Sequence, residues 1–274
     1  MYLPEAELDR RLRAIGAMLK YPGGVSAKPT RAARRSLPVV TRTRWSPELL
    51  AAVAEGERKA LRPLVGRGAA VEAAAAASER AAELIRAAIA KEPPPLPVAC
   101  APGCPSCCVS KVAVVAPEVL RIAAYLRESL DPEAWTALVA RVSAADGLTR
   151  GLSRNARARA GVPCPLLADD GSCSVHPVRP LLCRGWTSLD AGACERHFAD
   201  PDHAPVAPAF AVGYELASAV LAGLGRAALD AGRDGALLEL TAALRIALTH
   251  PDAAARWEAG RPVFAPARDA EAGG

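Results

Sequence analysis

Aromatic side chains are scarce in this chain of 274 residues, where phenylalanine, tyrosine and tryptophan together make up 4%. With so few flat rings, stacking on single-stranded nucleic acid has little to work with, and nucleic acid is not an expected partner. Long apolar runs are missing too. The longest toward the C-terminal end, residues 209–224, is interrupted by Glu215 and is too short to span a bilayer, so no membrane partner is expected. The first residues, Met-Tyr-Leu-Pro-Glu-Ala-Glu, lack the apolar stretch of a secretory signal, which makes the cytoplasm the expected location. Neither a glycine-rich phosphate loop nor a Ser-His-Asp arrangement is found, which removes support for nucleotide or ordinary hydrolase chemistry.

What the chain does have is cysteine in one place. A chain of this length can bury a full core without disulfide staples, so its eight cysteines are surplus to that need. All eight fall between positions 100 and 194. In a reducing compartment, thiols clustered in this way are read as metal ligands or redox groups. The net charge is +5, and the basic excess is concentrated in Lys28, Arg31, Arg34, Arg35, Arg42 and Arg44, with no acid among them. Such a run is either a solvated linker or a surface for an acidic partner.

Helical patterns dominate the rest. Residues 4–20 read as a first helix. Ser46-Pro47-Glu48 supplies a cap, a first-turn proline and an acid for a second, expected to reach about Leu61 before Pro63. An alanine-rich helix is expected from Ala69 to Lys91. The β-branched run from Lys111 to Val115 suits one short strand. Pro117-Glu118 and Asp131-Pro132-Glu133 then open two helices that form a hairpin. Arg150, Arg154, Arg157 and Arg159 fall on a short basic helix, and 164–205 reads as turn after turn. Two helices close the chain, one with Phe210, Tyr214, Ala217, Leu221 and Leu224 on a face, the other with Leu237, Leu240, Leu244 and Leu248.

The expected fold is mainly α, a helical bundle wrapped around an irregular, cysteine-rich metal-binding loop region with at most a small strand or hairpin. The divisions expected are an N-terminal helical extension over 1–97 containing the basic linker 28–44, a cysteine-cluster region over 98–195, C-terminal helices over 196–258 packing on it, and a disordered tail over 259–274.

Cys104-Pro-Ser-Cys107 is a C-x-x-C, a spacing that lets two thiolates on one tight turn reach the same ion or cluster. Cys108 points a third sulfur elsewhere, and Cys100 comes within reach if Pro102-Gly103 bends the backbone. Cys164, Cys173 and Cys183 would complete coordination from the loop stretch, and Cys194 suits either a ligand or a lone thiol. All-sulfur coordination suits zinc or iron–sulfur centres and argues against magnesium or calcium. Eight sulfurs suffice for one site or for two. Arg179 and Arg184 beside Cys183 would either compensate the charge of a thiolate site or bind an anionic substrate or cofactor. His197 and His203, near Cys194, read as ordinary loop histidines rather than ligands.

Gly103-Cys-Pro-Ser-Cys-Cys108, Pro117-Glu118, Cys164-Pro-Leu-Leu167, Gly171-Ser-Cys-Ser-Val-His176 and Arg179-Pro-Leu-Leu-Cys-Arg184, in that order, resemble the bacterial cysteine-cluster proteins of the YkgJ-type (C-x-x-C-x-x-C-C) family. The resemblance covers about 100–195 and implies a zinc- or iron-chelating domain. The Cys100-x-x-x-Cys104 spacing departs from the C-x-x-C of many members, and His176 stands where members often carry tyrosine. A related cluster occurs in flagellin lysine methylases, so the resemblance also implies an iron–sulfur centre, such as a 4Fe–4S cluster, as an option. Three functions follow as alternatives: a metal-binding protein chelating zinc or iron; an iron–sulfur-dependent enzyme modifying a protein or small molecule; and a thiol redox or metal-trafficking protein.

Overall fold

The computed structural model describes residues 45–204, 207–269 and 271. The helix expected over 4–20 and the basic linker 28–44 lie outside these residues. Among the described residues the chain forms ten α-helices and one two-stranded sheet, the mainly helical architecture expected. None of these helices is long and apolar enough to cross a membrane.

Helix α1 (Pro47–Gly66) starts where Ser46 accepts a hydrogen bond from the Leu49 amide at 3.2 Å. It does not stop before Pro63. The proline removes one backbone donor in the last turn, but Leu61 and Val65 are buried on either side of it, and their packing carries the helix to Gly66. After Gly68, at φ +77°, the chain reverses into α2 (Ala70–Lys91). One stripe of α2 is Ala70, Ala73, Ala74, Ala77 and Ala81, all buried, and such small side chains let neighbouring helices approach closely. Arg80 of α2 holds the buried Glu57 of α1 with two hydrogen bonds, at 2.5 and 2.8 Å.

Beyond the first cysteine turn, β1 (Ala113–Val114) leads into α3 (Ala116–Ser129) and α4 (Pro132–Thr149), the latter capped by Asp131 on the Ala134 amide at 2.8 Å. Helix α4 reaches Thr149, so Arg150 is its C-cap and the short basic helix α5 is only Arg154–Arg159. Two further short helices, α6 (Leu181–Gly185) and α7 (Ala191–Ala199), lie in the stretch expected to be turns alone. The start of helix α7 is fixed by Asp190, which accepts from the Ala193 amide at 2.9 Å.

The centre of the bundle is α8 (Ala211–Asp230), which packs on α1, α2 and α6. Its contact with α1 is close enough that a Cβ on Gly223 would lie 2.5 Å from the Glu57 Cβ. Leu237, read as helical from its spacing, precedes the next helix instead. Leu238 and Glu239 form β2, antiparallel to β1 with Ala113 opposite Glu239, and α9 (Leu240–Thr249) follows and packs on α3 and α4. Helix α10 (Ala253–Glu258) then buries Trp257, whose indole donates to the Asp234 carbonyl at 2.8 Å.

The expectation of a disordered tail from 259 is corrected for residues 259–269. Phe264 is fully buried, Arg268 bridges Leu238 on the free edge of β2, and the Asp269 amide donates to the Leu237 carbonyl at 2.9 Å. An apolar peg and an open strand edge are enough to order this segment. Lys111, one residue beyond the cysteine turn and its Ser110, then reaches Asp269 at 2.6 Å and Glu271 at 3.0 Å.

Candidate metal centre

Three arms bring the cysteines to one end of the bundle. The first is the turn itself. Gly103 adopts φ +83°, the Cys104 amide donates to the Ala101 carbonyl at 3.2 Å, and Ser106–Val109 winds one 3-10 turn. Cys107 and Cys108 sit on that turn, half-buried, while Cys100 is exposed.

The second arm comes back against the first, backbone on backbone. The Cys164 amide donates to the Cys108 carbonyl at 2.6 Å, and Leu167 bridges Cys173 across a tight loop. At its tip Gly171, at φ +78°, approaches Gly103 so closely that a Cβ would lie 2.6 Å from the Gly103 carbonyl oxygen. Only glycine accepts both the left-handed conformation and that approach. Cys183 follows on α6, and α6 is seated the same way: a Cβ on Gly185 would lie 2.5 Å from the Gly213 carbonyl of α8.

Glu118 locks α6 in place. Its buried carboxylate accepts from the Val115 amide at 3.2 Å with one oxygen and from the Leu181 amide at 2.8 Å with the other. One side chain thus starts α3 and fixes the helix that carries Cys183. Burial pushes this carboxyl up to about 7, against the two amides and the Arg121 and Arg184 charges, which favour ionisation.

The third arm holds Cys100 and Cys194. The Ala99 amide donates to the Ser188 carbonyl at 2.8 Å, and the Ser188 amide donates to the Cys100 sulfur at 3.2 Å. Two residues on, Asp190 caps α7, which buries Cys194 and packs on the 3-10 turn of Cys107 and Cys108.

Electrostatic coupling runs between these arms. Burial pushes the Cys164 thiol up to about 12, with Cys183 and Cys173 adding to the rise and Arg157 opposing it. Burial likewise pushes Cys183 up to about 12, opposed by Arg179 and reinforced by Cys107 and Cys173. Cys107 is raised first by its hydrogen bond with Cys108 and then by burial; Cys194 is raised by burial and by Cys100, Cys107 and Cys104. These groups are thus protonated thiols packed where their charged forms are disfavoured, and a thiophilic cation is what would favour ionisation.

All eight cysteines are free thiols, and among the described residues no three Cys, His, Asp or Glu side chains stand at ion-holding distance. The residues fit a zinc or iron centre through their donor chemistry: soft sulfur, most of it partly withdrawn from water, beside arginine charge. They do not provide a hard-oxygen shell. Arg184 gives its Nε to the Arg179 carbonyl at 2.9 Å and one Nη to the His176 and Pro177 carbonyls at 3.0 and 2.6 Å. Those donors hold the loop before α6 in shape. His203 pairs with Asp200 at 2.9 Å on the surface, His176 is exposed, and His197 is buried, with burial lowering its pKa.

Glu118 and the Gly103–Gly171 approach are the parts of the site whose roles sequence reasoning missed. Pro117-Glu118 reads as a helix start and a family motif, with no sign of its second bond, because that bond, to Leu181, spans 63 positions. Gly171 reads as a turn residue and the first residue of a family motif, with no sign of its approach to Gly103.

Residues 99–198 match the model of the CxxCxxCC family, described as "Putative zinc- or iron-chelating domain". The resemblance carried by the motifs of this segment is shown over those residues, and it supports metal binding there. Comparison with curated proteins and with solved structures gives no match.

Proposed function

We propose that this is a metal-binding protein in which region 98–195 chelates zinc or iron through cysteine thiolates, carried on the helical extension before it and the C-terminal helices of 196–258. Cys104, Cys107, Cys108, Cys164, Cys173 and Cys183 form the body of the ligand set, and Cys100 and Cys194 supply its outer sulfurs. Bound there, the ion would replace the protons of these thiols and cross-link arms that have little apolar packing of their own. Arg179 compensates the resulting negative charge at Cys107 and Cys183, and Arg184 holds the carbonyls of 176–179 in the loop that leads to Cys183.

The observation that carries this reading is the environment of Cys164 and Cys183, two thiols pushed up to about 12 by burial, each flanked by further thiols and an opposing arginine. A pair of half-buried thiols held for packing alone has no use for either neighbour. The reducing cytoplasm is the setting that keeps all eight thiols free for this role.

Purification without oxygen, elemental analysis and a visible spectrum test the reading. Bound zinc or iron that is lost from the Cys164→Ser, Cys183→Ser double variant is the expected result. A brown protein with labile sulfide would specify an iron–sulfur cluster, and a colourless one with zinc a mononuclear-type thiolate site. Full-length protein that takes up neither metal under reducing conditions would overturn the proposal.

A further inference from the structure

Arg157 is buried to 2% exposure, although it lies on a short helix that it shares with two other arginines, Arg154 and Arg159. Its side chain turns into the protein. One Nη donates to the Val109 carbonyl at 3.1 Å and to the Val162 carbonyl as well. Val109 directly follows Cys107-Cys108, and Val162 stands two residues before Cys164. One nitrogen therefore ties the first cysteine arm to the second, at the place where the Cys164 amide also meets the Cys108 carbonyl.

The charge on this side chain is poorly matched by the protein alone. Its Nε is buried with no hydrogen-bond partner among the described residues. The groups acting on it are Glu239, whose charge is engaged in capping α9 through the Ala242 amide at 2.7 Å, and Cys164, which is an anion only once its thiol gives up its proton. A buried guanidinium with so little compensation is unfavourable for folding by itself. A divalent ion among four thiolates is net anionic, and a cation immediately behind such a centre is what it lacks.

We infer that Arg157 is a positioning residue of the metal centre, joining the Cys107-Cys108 turn to the Cys164 segment and compensating the charge of the metal-thiolate group. The inference rests on the metal-binding reading above. Arg157 touches no ion; it acts through the backbone on which the sulfurs are mounted and through its charge.

Zinc(II) competition against a chromophoric chelator, on the reduced full-length chain, tests this together with urea unfolding of the metal-free protein. Arg157→Met, which removes donors and charge, and Arg157→Gln, which removes charge, should hold zinc about 10- to 100-fold more weakly than wild type. Arg157→Lys, which keeps the charge, should stay within about threefold. Metal-free Arg157→Met should unfold at the same urea concentration as wild type or a higher one, because an under-compensated buried charge is gone. Equal zinc affinity in all four proteins would overturn the inference while leaving the metal centre standing. So would an affinity loss as large in the lysine variant as in the glutamine variant, a comparison that decides the matter even if the methionine variant fails to fold. Wild type that takes up no zinc or iron overturns the metal reading itself.

Discussion

Trp257, Phe264, Leu216 and Leu224 in the helical frame are each 1% exposed or less, whereas seven of the eight cysteines are half-buried or exposed. The frame is ordered by apolar burial: α8 packs on α1 and α2, and α9 on α3 and α4, with nothing further required. The cysteine arms contribute only a few apolar pegs to that core, chiefly Leu166, Val175, Leu181 and Leu182. They are otherwise held by backbone hydrogen bonds, by Glu118, Arg157 and Arg184, and by glycine approaches at 103–171 and 185–213. The difference teaches where a ligand matters. A bound ion adds little to a frame that is already packed and a great deal to arms that are positioned but thinly cross-linked.

The largest expected effect lies in the frame. Phe264→Ala or Trp257→Ala should destabilise the protein by about 3–5 kcal/mol in urea unfolding, with or without metal, because each removes a fully buried aromatic. For Phe264 the same measurement shows that the segment after 259 belongs to the core. A loss confined to the metal-loaded protein would erase the contrast between the two regions.

Next is Glu118, where the two regions meet. Its pKa in the folded protein, about 7, lies above the ordinary 4.5, so its share of stability is present in acid and lost as pH rises from 4.5 through 7. Metal-free protein should therefore lose on the order of 3 kcal/mol from this group across that window. The slope should disappear in Glu118→Gln, which also leaves one of the Val115 and Leu181 amides without an acceptor. His197, whose pKa is lowered by burial, contributes in the opposite sense, gaining stability as pH rises through 6.5; it is common to both proteins and cancels in the comparison. Urea midpoints at several pH values provide the check, and parallel curves for the two proteins would contradict it.

Gly171→Ala should cost about 1–3 kcal/mol, since it forces a side chain into a left-handed conformation and against the Gly103 carbonyl. Its signature should be a faster loss of bound metal with the frame's thermal unfolding little changed. The smallest effect has the opposite sign. Gly56, exposed within α1, would carry a Cβ into open space, with nothing within 4 Å of it. Replacing it by alanine should stabilise the frame by about 0.5–1 kcal/mol without altering metal affinity, as urea unfolding and zinc competition on the same variant would show.

The frame was legible in the sequence because its signals are local: Ser46-Pro47 and Asp131-Pro132 as helix starts, the alanine stripe of α2, and the apolar spacing from Val119 to Leu126. The cysteines, too, were visible as a split set from their crowding alone. What joins them was not. The bond from Glu118 to Leu181, the contact of Gly171 with Gly103 and the burial of Arg157 all depend on residues far apart in the chain. Arg157 shares its short helix with Arg154 and Arg159, and composition cannot tell the one that turns inward. The tail was misjudged for the same reason, since the edge of β2 that orders it exists only in the folded chain.

Amide hydrogen exchange on the metal-loaded and the chelator-treated protein, both kept reduced, bears most directly on the division between frame and cysteine arms. The expected result is protection lost over 98–109 and 162–195 on chelation, with 47–91 and 211–230 unchanged. Protection that is the same in both proteins, or lost equally across the frame, would contradict a cysteine region that completes its order on a metal.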